Sequence, residues 1–310
     1  MNLTDWFGRG GKGGYAAVVP QEEGVSFAAL DTRSQPPHLQ QCDFFIPETG
    51  VIDSEALARR LQQLGLTRRP CTTVMALGDY TVLSVEAPAV PPEELRAAVR
   101  WQVKELIDFH IDDAVIDVFD APASGAHGRQ NNLYVVVSRL GTVRERVDLL
   151  QGAEARLEAI DIPELVLRNI TERLPEDEAG VGFVYLTRER GLVIVTRQST
   201  LYFARTLELG YAALAGGDTA QFDHLVLEVQ RSLDYYDRYF VQPPVAGLVL
   251  APTVEPLPGL EDYLHTSLGL AVRTLDLSEI IACDRPLDAA TQARCLPAVA
   301  AALREESTSL

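Results

Sequence analysis

Three short apolar runs, a helical stretch, a further strand and another helix occur twice along this chain, and that repeated order is its strongest constraint on fold. In the first half, Tyr15–Val19, Val25–Leu30 and Cys42–Ile46 read as strands. They alternate or run apolar over strand length and are bounded by turn residues such as Pro20 and Gly24. Ser54–Leu64 predicts a helix, with Asp53 or Ser54 as cap and Leu57, Leu61 and Leu64 at helical spacing. Thr72–Leu77 predicts the next strand, and after an interruption the order resumes with Leu157–Ile160 and a helix over Pro163–Arg173. The second half runs through strands Val181–Leu186, Gly191–Thr196 and Thr200–Leu207 and a long helix near 219–240. It ends with a strand at Gly247–Leu250, a helix at Leu260–Leu268, a strand at Ala271–Leu275 and a closing helix over 287–303. Short strands in runs, each followed by helices, predict an α/β chain of two similar halves.

The interruption has its own pattern. Tyr80–Glu86 reads as a strand. Pro91-Pro92-Glu93-Glu94 opens a helix with proline in its first turn and acids at the positive end of its dipole. Ala114–Phe119 and Leu133–Val137 read as strands and Val143–Leu150 as a helix. The predicted division is therefore a tail over 1–14, a first-domain core over 15–78 and 154–178, and an inserted βαββα subdomain over 79–153. A second domain covers 179–310, its closing helix a candidate to pack back on the first domain. The acidic turn Pro175–Gly180 is the best boundary signal. The tail joins Leu3, Trp6 and Phe7 to a glycine run, which without partners holds no fixed backbone.

Composition narrows the function classes. With 44 acidic and 27 basic side chains the net charge is −17, so a nucleic-acid backbone or an anionic lipid surface is repelled. No stretch approaches the ~20 apolar residues of a membrane span, and the start lacks the core of a secretion signal. These features predict a cytoplasmic protein. Cys42, Cys71, Cys283 and Cys295 lie far apart without metal-ligand spacing, so packed, reduced thiols are expected and no metal site. Asp234 and Asp237 share a helical face, but Arg231 and Arg238 stand close enough to make it a solvated ion-pair surface. The five histidines form no catalytic spacing, and no nucleophile elbow is present. No enzyme signal stands out.

Several segments resemble a known family. Val90–Gln102 (VPPEELRAAVRWQ) followed by Asp108–Asp113 (DFHIDD) is similar to the signature helix and exit of PilM, the cytoplasmic actin-like protein of type IV pilus assembly. Glu228–Tyr236, Leu257–Leu264 with Leu268–Val272, and Ala159–Ile162 are similar to further PilM segments, in order and spacing over most of 15–305. The resemblance points most closely to the MshI-type branch that serves mannose-sensitive haemagglutinin pili. It implies an actin-like (ribonuclease H-like) two-domain fold with a small inserted subdomain. It also implies a cytoplasmic position, peripheral to the inner membrane through a partner. That partner would be a bitopic pilus protein whose short N-terminal peptide enters a groove beside the inserted subdomain, with a pilus motor or platform protein as a further candidate.

The family's fold holds ATP and Mg²⁺ between its domains, on backbone N–H groups of two glycine-bearing hairpins and a glycine-rich turn. The positions that match here are Pro20, Gln21 and Glu22 in the first hairpin, Thr187 and Arg188 in the second, and Ala251, Pro252 and Thr253 in the turn. Pro20 lacks a donor, Glu22 and Glu23 repel phosphate, and Ala251-Pro252 adds side chains where the backbone must be open. We therefore expect no nucleotide cofactor and no ATPase activity; an active ATP-binding homologue and the cytoplasmic domain of a type II secretion platform protein are the alternatives. Trp101 lies ~160–200° from the stripe formed by Leu95, Val99, Val103 and Leu106, by the 100° helical step. With Phe109 and Ile111 it is the candidate lining of the partner groove, unless it packs inside the subdomain junction.

Overall fold

The structure, a computed structural model, describes residues 15–47, 50–123 and 132–304. The tail expected over 1–14 lies outside the described residues. The first half contributes β1 (Ala16–Pro20), β2 (Val25–Asp31), β3 (His38–Phe45), α1 (Ser54–Gln63) and β4 (Pro70–Val74). The insertion follows as β5 (Tyr80–Glu86), α2 (Pro92–Val103), β6 (Ala114–Asp120) and β7 (Asn132–Arg139), and the chain returns through α3 (Leu140–Gly152), β8 (Arg156–Asp161) and α4 (Pro163–Thr171). The second half comprises β9 (Val181–Leu186), β10 (Gly191–Arg197), β11 (Thr200–Leu207), α5 (Tyr211–Leu214) and α6 (Thr219–Tyr239). It continues with β12 (Gly247–Leu250), α7 (Leu260–Leu268), β13 (Ala271–Thr274), β14 (Ala282–Cys283) and α8 (Ala289–Ala302).

Three sheets result, with strand orders β14-β3-β2-β1-β4-β8, β11-β10-β9-β12-β13 and β5-β7-β6. β1 is central to the first and buried on both faces. Its side chains alternate: Ala16 and Val18 meet Leu57 and Leu61 of α1 and Leu150 of α3, while Ala17 and Val19 meet α4 and α8. α8 is apolar almost all round and buried accordingly. β14, just before it, pairs parallel with β3. β14 and α8 are therefore part of the first sheet's layer. In the second half, Phe222, Leu225, Val229, Leu233 and Tyr236 of α6 form the buried stripe that their spacing predicts, against β10 and β11.

Four local features add to or change the expectations. β3 starts at His38 rather than Cys42, because its backbone pairs along the whole of β2 while Gln40 and Gln41 keep polar side chains in water. α3, expected within the insertion, touches β6 and β7 there and also places Leu150 in the first domain's core beside Leu57 and Leu61. α2 ends at Val103, so Leu106 leaves the buried stripe and is 56% exposed. The short α5 and β14 carry too few residues to show a period. The acidic turn is also more than a linker: Asp177 is 3% exposed. It accepts the Thr196 hydroxyl at 2.6 Å and the Ser199 N–H at 2.7 Å.

Candidate functional site

Two cavities lie where elements from both halves meet. The first is bounded by the β1–β2 and β9–β10 turns and by Met75, Leu77, Pro163, Tyr211, Pro252 and Arg294. Every sequence-derived nucleotide position except Ala251 lines it; Ala251 is buried in the core, its N–H donated to the Val184 carbonyl at 2.8 Å. The first hairpin is closed by the Gln21 N–H bonding the Gly24 carbonyl at 2.7 Å. The Gln21 amide is also committed, donating to Ser26 Oγ at 2.7 Å and to the Arg294 carbonyl of α8 at 2.9 Å. In the second hairpin, Thr187 Oγ1 accepts the Arg190 N–H at 3.1 Å. The Thr187 and Arg188 carbonyls receive the N–H groups of Tyr211 and Ala212 at 2.9 and 3.1 Å. Gly210 is required there, since a Cβ would meet the Arg188 carbonyl oxygen at 2.2 Å.

Across this cleft Arg188 reaches Glu23 at 3.3 Å, linking the two hairpin tips. The free volume is about 110 Å³, against roughly 300–1,000 Å³ for ordinary ligand pockets. Its hairpin end presents a proline without a donor, two carboxylates and a paired arginine.

The second cavity is a groove of about 490 Å³. Strand alternation builds it. On β5, Leu83 and Val85 face α2 while Tyr80, Val82 and Ser84 face the groove. On β7, Leu133, Val135 and Val137 pack inward while Tyr134 turns out. The facing wall is β11 with Tyr235 and Phe240, and Glu164 of α4 forms the floor. Glu164 is 3% exposed, and its Oε2 accepts the Tyr80 hydroxyl at 2.6 Å. Burial pushes its pKa up to about 7, more than the Tyr80 hydrogen bond lowers it, and Asp161 adds a smaller upward push.

No protein-family model matches this chain, and no curated protein matches it. Among solved structures it is similar to a PilM–PilN type IV pilus biogenesis complex, with TM-score 0.75 and 18% identity over 95% of this chain and 100% of that one. It is also similar to the cytoplasmic domain of EpsL, an inner-membrane component of the type II secretion system of Vibrio cholerae. That match has TM-score 0.52 and 13% identity, over 92% of this chain and 94% of the other. A Bacteroides thetaiotaomicron protein of actin-like ATPase fold and unknown function matches with TM-score 0.52 and 10% identity, covering 89% and 93% of the two chains. The fold is actin-like.

Within this actin-like fold the three partner-groove candidates sit elsewhere. Trp101 is 74% exposed on the outer face of α2, with the Lys104 ammonium 5.7 Å from its ring. It does not pack inside the junction. Phe109 lies under the Arg139 guanidinium at 4.1 Å, and Ile111 packs beside the α2 cluster. All three are on the α2 side of the inserted sheet, and none lines either cavity. Trp101→Ala should therefore shift the urea midpoint by less than ~0.5 kcal/mol equivalent, as truncations of exposed side chains do; a loss above ~2 kcal/mol would contradict this packing. On α6, Arg231 pairs with Glu228 rather than Asp234, which accepts from Gln230 at 2.7 Å. Among the described residues no group of three His, Cys, Asp or Glu side chains is arranged to hold a metal, and no helix is long and apolar enough to cross a membrane.

Proposed function

We propose that this chain is a non-catalytic adaptor of the inner-membrane assembly platform of a type IV pilus machine, of the MshI-like branch. In this reading it sits at the cytoplasmic face and holds the short N-terminal peptide of a bitopic membrane partner. The inserted subdomain and the likeness to PilM in complex with PilN, over nearly the whole chain, support the platform role. EpsL, an inner-membrane secretion component of the same fold, supports it more broadly. The observation that carries the non-catalytic part is the phosphate end of the interdomain cleft, where Pro20, Glu22 and the Glu23–Arg188 pair stand in place of open backbone. Each lost phosphate or base contact removes about 1–3 kcal/mol of affinity, and three losses together exceed what a micromolar nucleotide site can spare.

Titration calorimetry with millimolar Mg-ATP is expected to give no binding heat. Glycines at Ala251 and Pro252 are expected not to restore it, because both hairpins remain closed. A micromolar Kd for the wild-type chain would overturn the reading in favour of an active ATP-binding protein.

A further inference from the structure

Three of the four cysteines, far apart in the chain, come to one face of the first sheet. Cys42 of β3, Cys283 of β14 and Cys295 of α8 belong to the core that α8 closes, whereas Cys71 of β4 lies in the core on the opposite face. The fold brings two of the three together. Cys295 is fully buried; its Sγ stands 3.5 Å from the Asp43 carbonyl oxygen and its S–H is within reach of the Cys42 sulfur. Cys42 is partly exposed. Cys283 pairs beside Leu39, three residues back along β3. That offset is on the order of 10 Å, whereas a disulfide spans about 7 Å or less between Cα atoms.

The two neighbouring thiols differ in character. The hydrogen bond from Cys295 favours a thiolate on Cys42 and holds its pKa below the ordinary thiol value, against opposing pushes from burial, Asp43 and Asp288. The same hydrogen bond, with burial, keeps the proton on Cys295. Burial pushes Cys71 up to about 12, which leaves it a shielded, protonated thiol. A thiolate that solvent can reach, backed by a buried S–H, has the two parts of a redox-responsive pair: one sulfur meets the oxidant and the other resolves the product.

We propose that Cys42 and Cys295 form a hydroperoxide-sensitive pair whose oxidation fastens α8 to β3. The Cys42 thiolate attacks hydrogen peroxide; an S–O bond forms, the O–O bond breaks, and the leaving hydroxide takes a proton from solvent to become water. The Cys295 sulfur then attacks the resulting sulfenic acid. An S–S bond forms, the S–O bond breaks, and the second hydroxide leaves as water with the Cys295 proton. Two thiols are oxidised to one disulfide while one peroxide is reduced to two waters. The position gives the bond a structural consequence. Arg294, beside Cys295, accepts the Gln21 amide on its carbonyl at 2.9 Å and holds its guanidinium 5.2 Å from the Phe44 ring. Arg294 and Phe44 both line the cleft between the halves. Oxidation therefore pins one wall of that cleft to the helix that ends the second half.

Hydrogen peroxide added to the reduced full-length protein tests this, read by mass mapping of a non-reduced digest. A Cys42–Cys295 cross-link that dithiothreitol reverses is expected, with Cys71 still reduced. Alkylation of the remaining thiols is expected to show Cys42 consumed about tenfold faster than Cys71 or Cys283. The urea midpoint of the oxidised protein is expected to rise and to return on reduction, because the link closes a long loop of the unfolded chain. In Cys295→Ala, Cys42 is expected to stop at a sulfenic acid that dimedone traps. Cys283→Ser is expected to form the cross-link as the wild type does. A link through Cys283 or between molecules, oxidation of Cys42 no faster than that of Cys71, or sulfinic acid without a disulfide would overturn the pair on the wild-type protein alone. A midpoint that does not rise on cross-linking would overturn the fastening of α8.

Discussion

Replacing Glu164 by glutamine should stabilise the folded protein by about 3 kcal/mol at pH 8 and by almost nothing at pH 4. The buried carboxyl has a folded-state pKa of about 7, against 4.5 for the free group. Between those values the folded chain holds a proton that the unfolded chain has released. Wild-type stability therefore falls as pH rises from about 4.5 to about 7 and stays reduced above it. Glutamine removes the ionisation but keeps an oxygen to accept the Tyr80 hydroxyl, so the hydrogen bond survives. Urea midpoints of both proteins at the two pH values measure the difference. A stability gap that does not change with pH would show that Glu164 titrates normally. A side chain that weakens the fold at neutral pH and faces a groove is a candidate for selection by binding.

Asp177→Ala should cost about 3 kcal/mol, although the residue sits in a turn that reads as a polar linker. Its carboxylate holds the Thr196 hydroxyl and the Ser199 N–H, and its backbone carbonyl accepts the Gln198 N–H at 2.9 Å. Thr196 is fully buried at the end of β10, where its hydroxyl also lies 2.9 Å from that of Thr171 in α4. Alanine leaves the buried Thr196 hydroxyl without this acceptor, worth about 1–3 kcal/mol when water cannot replace it, and removes the Ser199 N–H bond that ties the exposed turn, worth about 1 kcal/mol more. Chemical denaturation gives the number directly, and a loss under ~1 kcal/mol would mean that water reaches the site.

The repeated strand and helix order was legible because α6 and the central strands are buried on the faces their periods define. Val99 and Val103 point inward and Trp101 outward, as the 100° step requires. The groove was not legible in the same way. Its lining comes mostly from one alternate face of β5 and β7, from β11 in the other half of the chain, and from Glu164, which in sequence is an ordinary acid in a helix's first turn. Period-two alternation in Tyr80, Val82 and Ser84 was a usable signal, but an apolar strand with two covered faces gives no hint of which neighbour covers each. α3 is a related case, since adjacency to β7 says nothing about the α1 surface it also meets.

The pairing of β14 with β3 and the burial of α8 against β1 and β2 set the order of events during synthesis. β1 and β2 leave the ribosome well before α8, and although α4 reaches Ala17 and Val19 earlier, the face they share with Ala28 and Leu30 is closed only when α8 has emerged. At roughly 5–20 residues per second that wait lasts on the order of tens of seconds. Throughout it the nascent chain presents a partly uncovered apolar sheet face to the cell, so its yield is expected to depend on chaperones that hold such a face as well as on the stability of the finished protein.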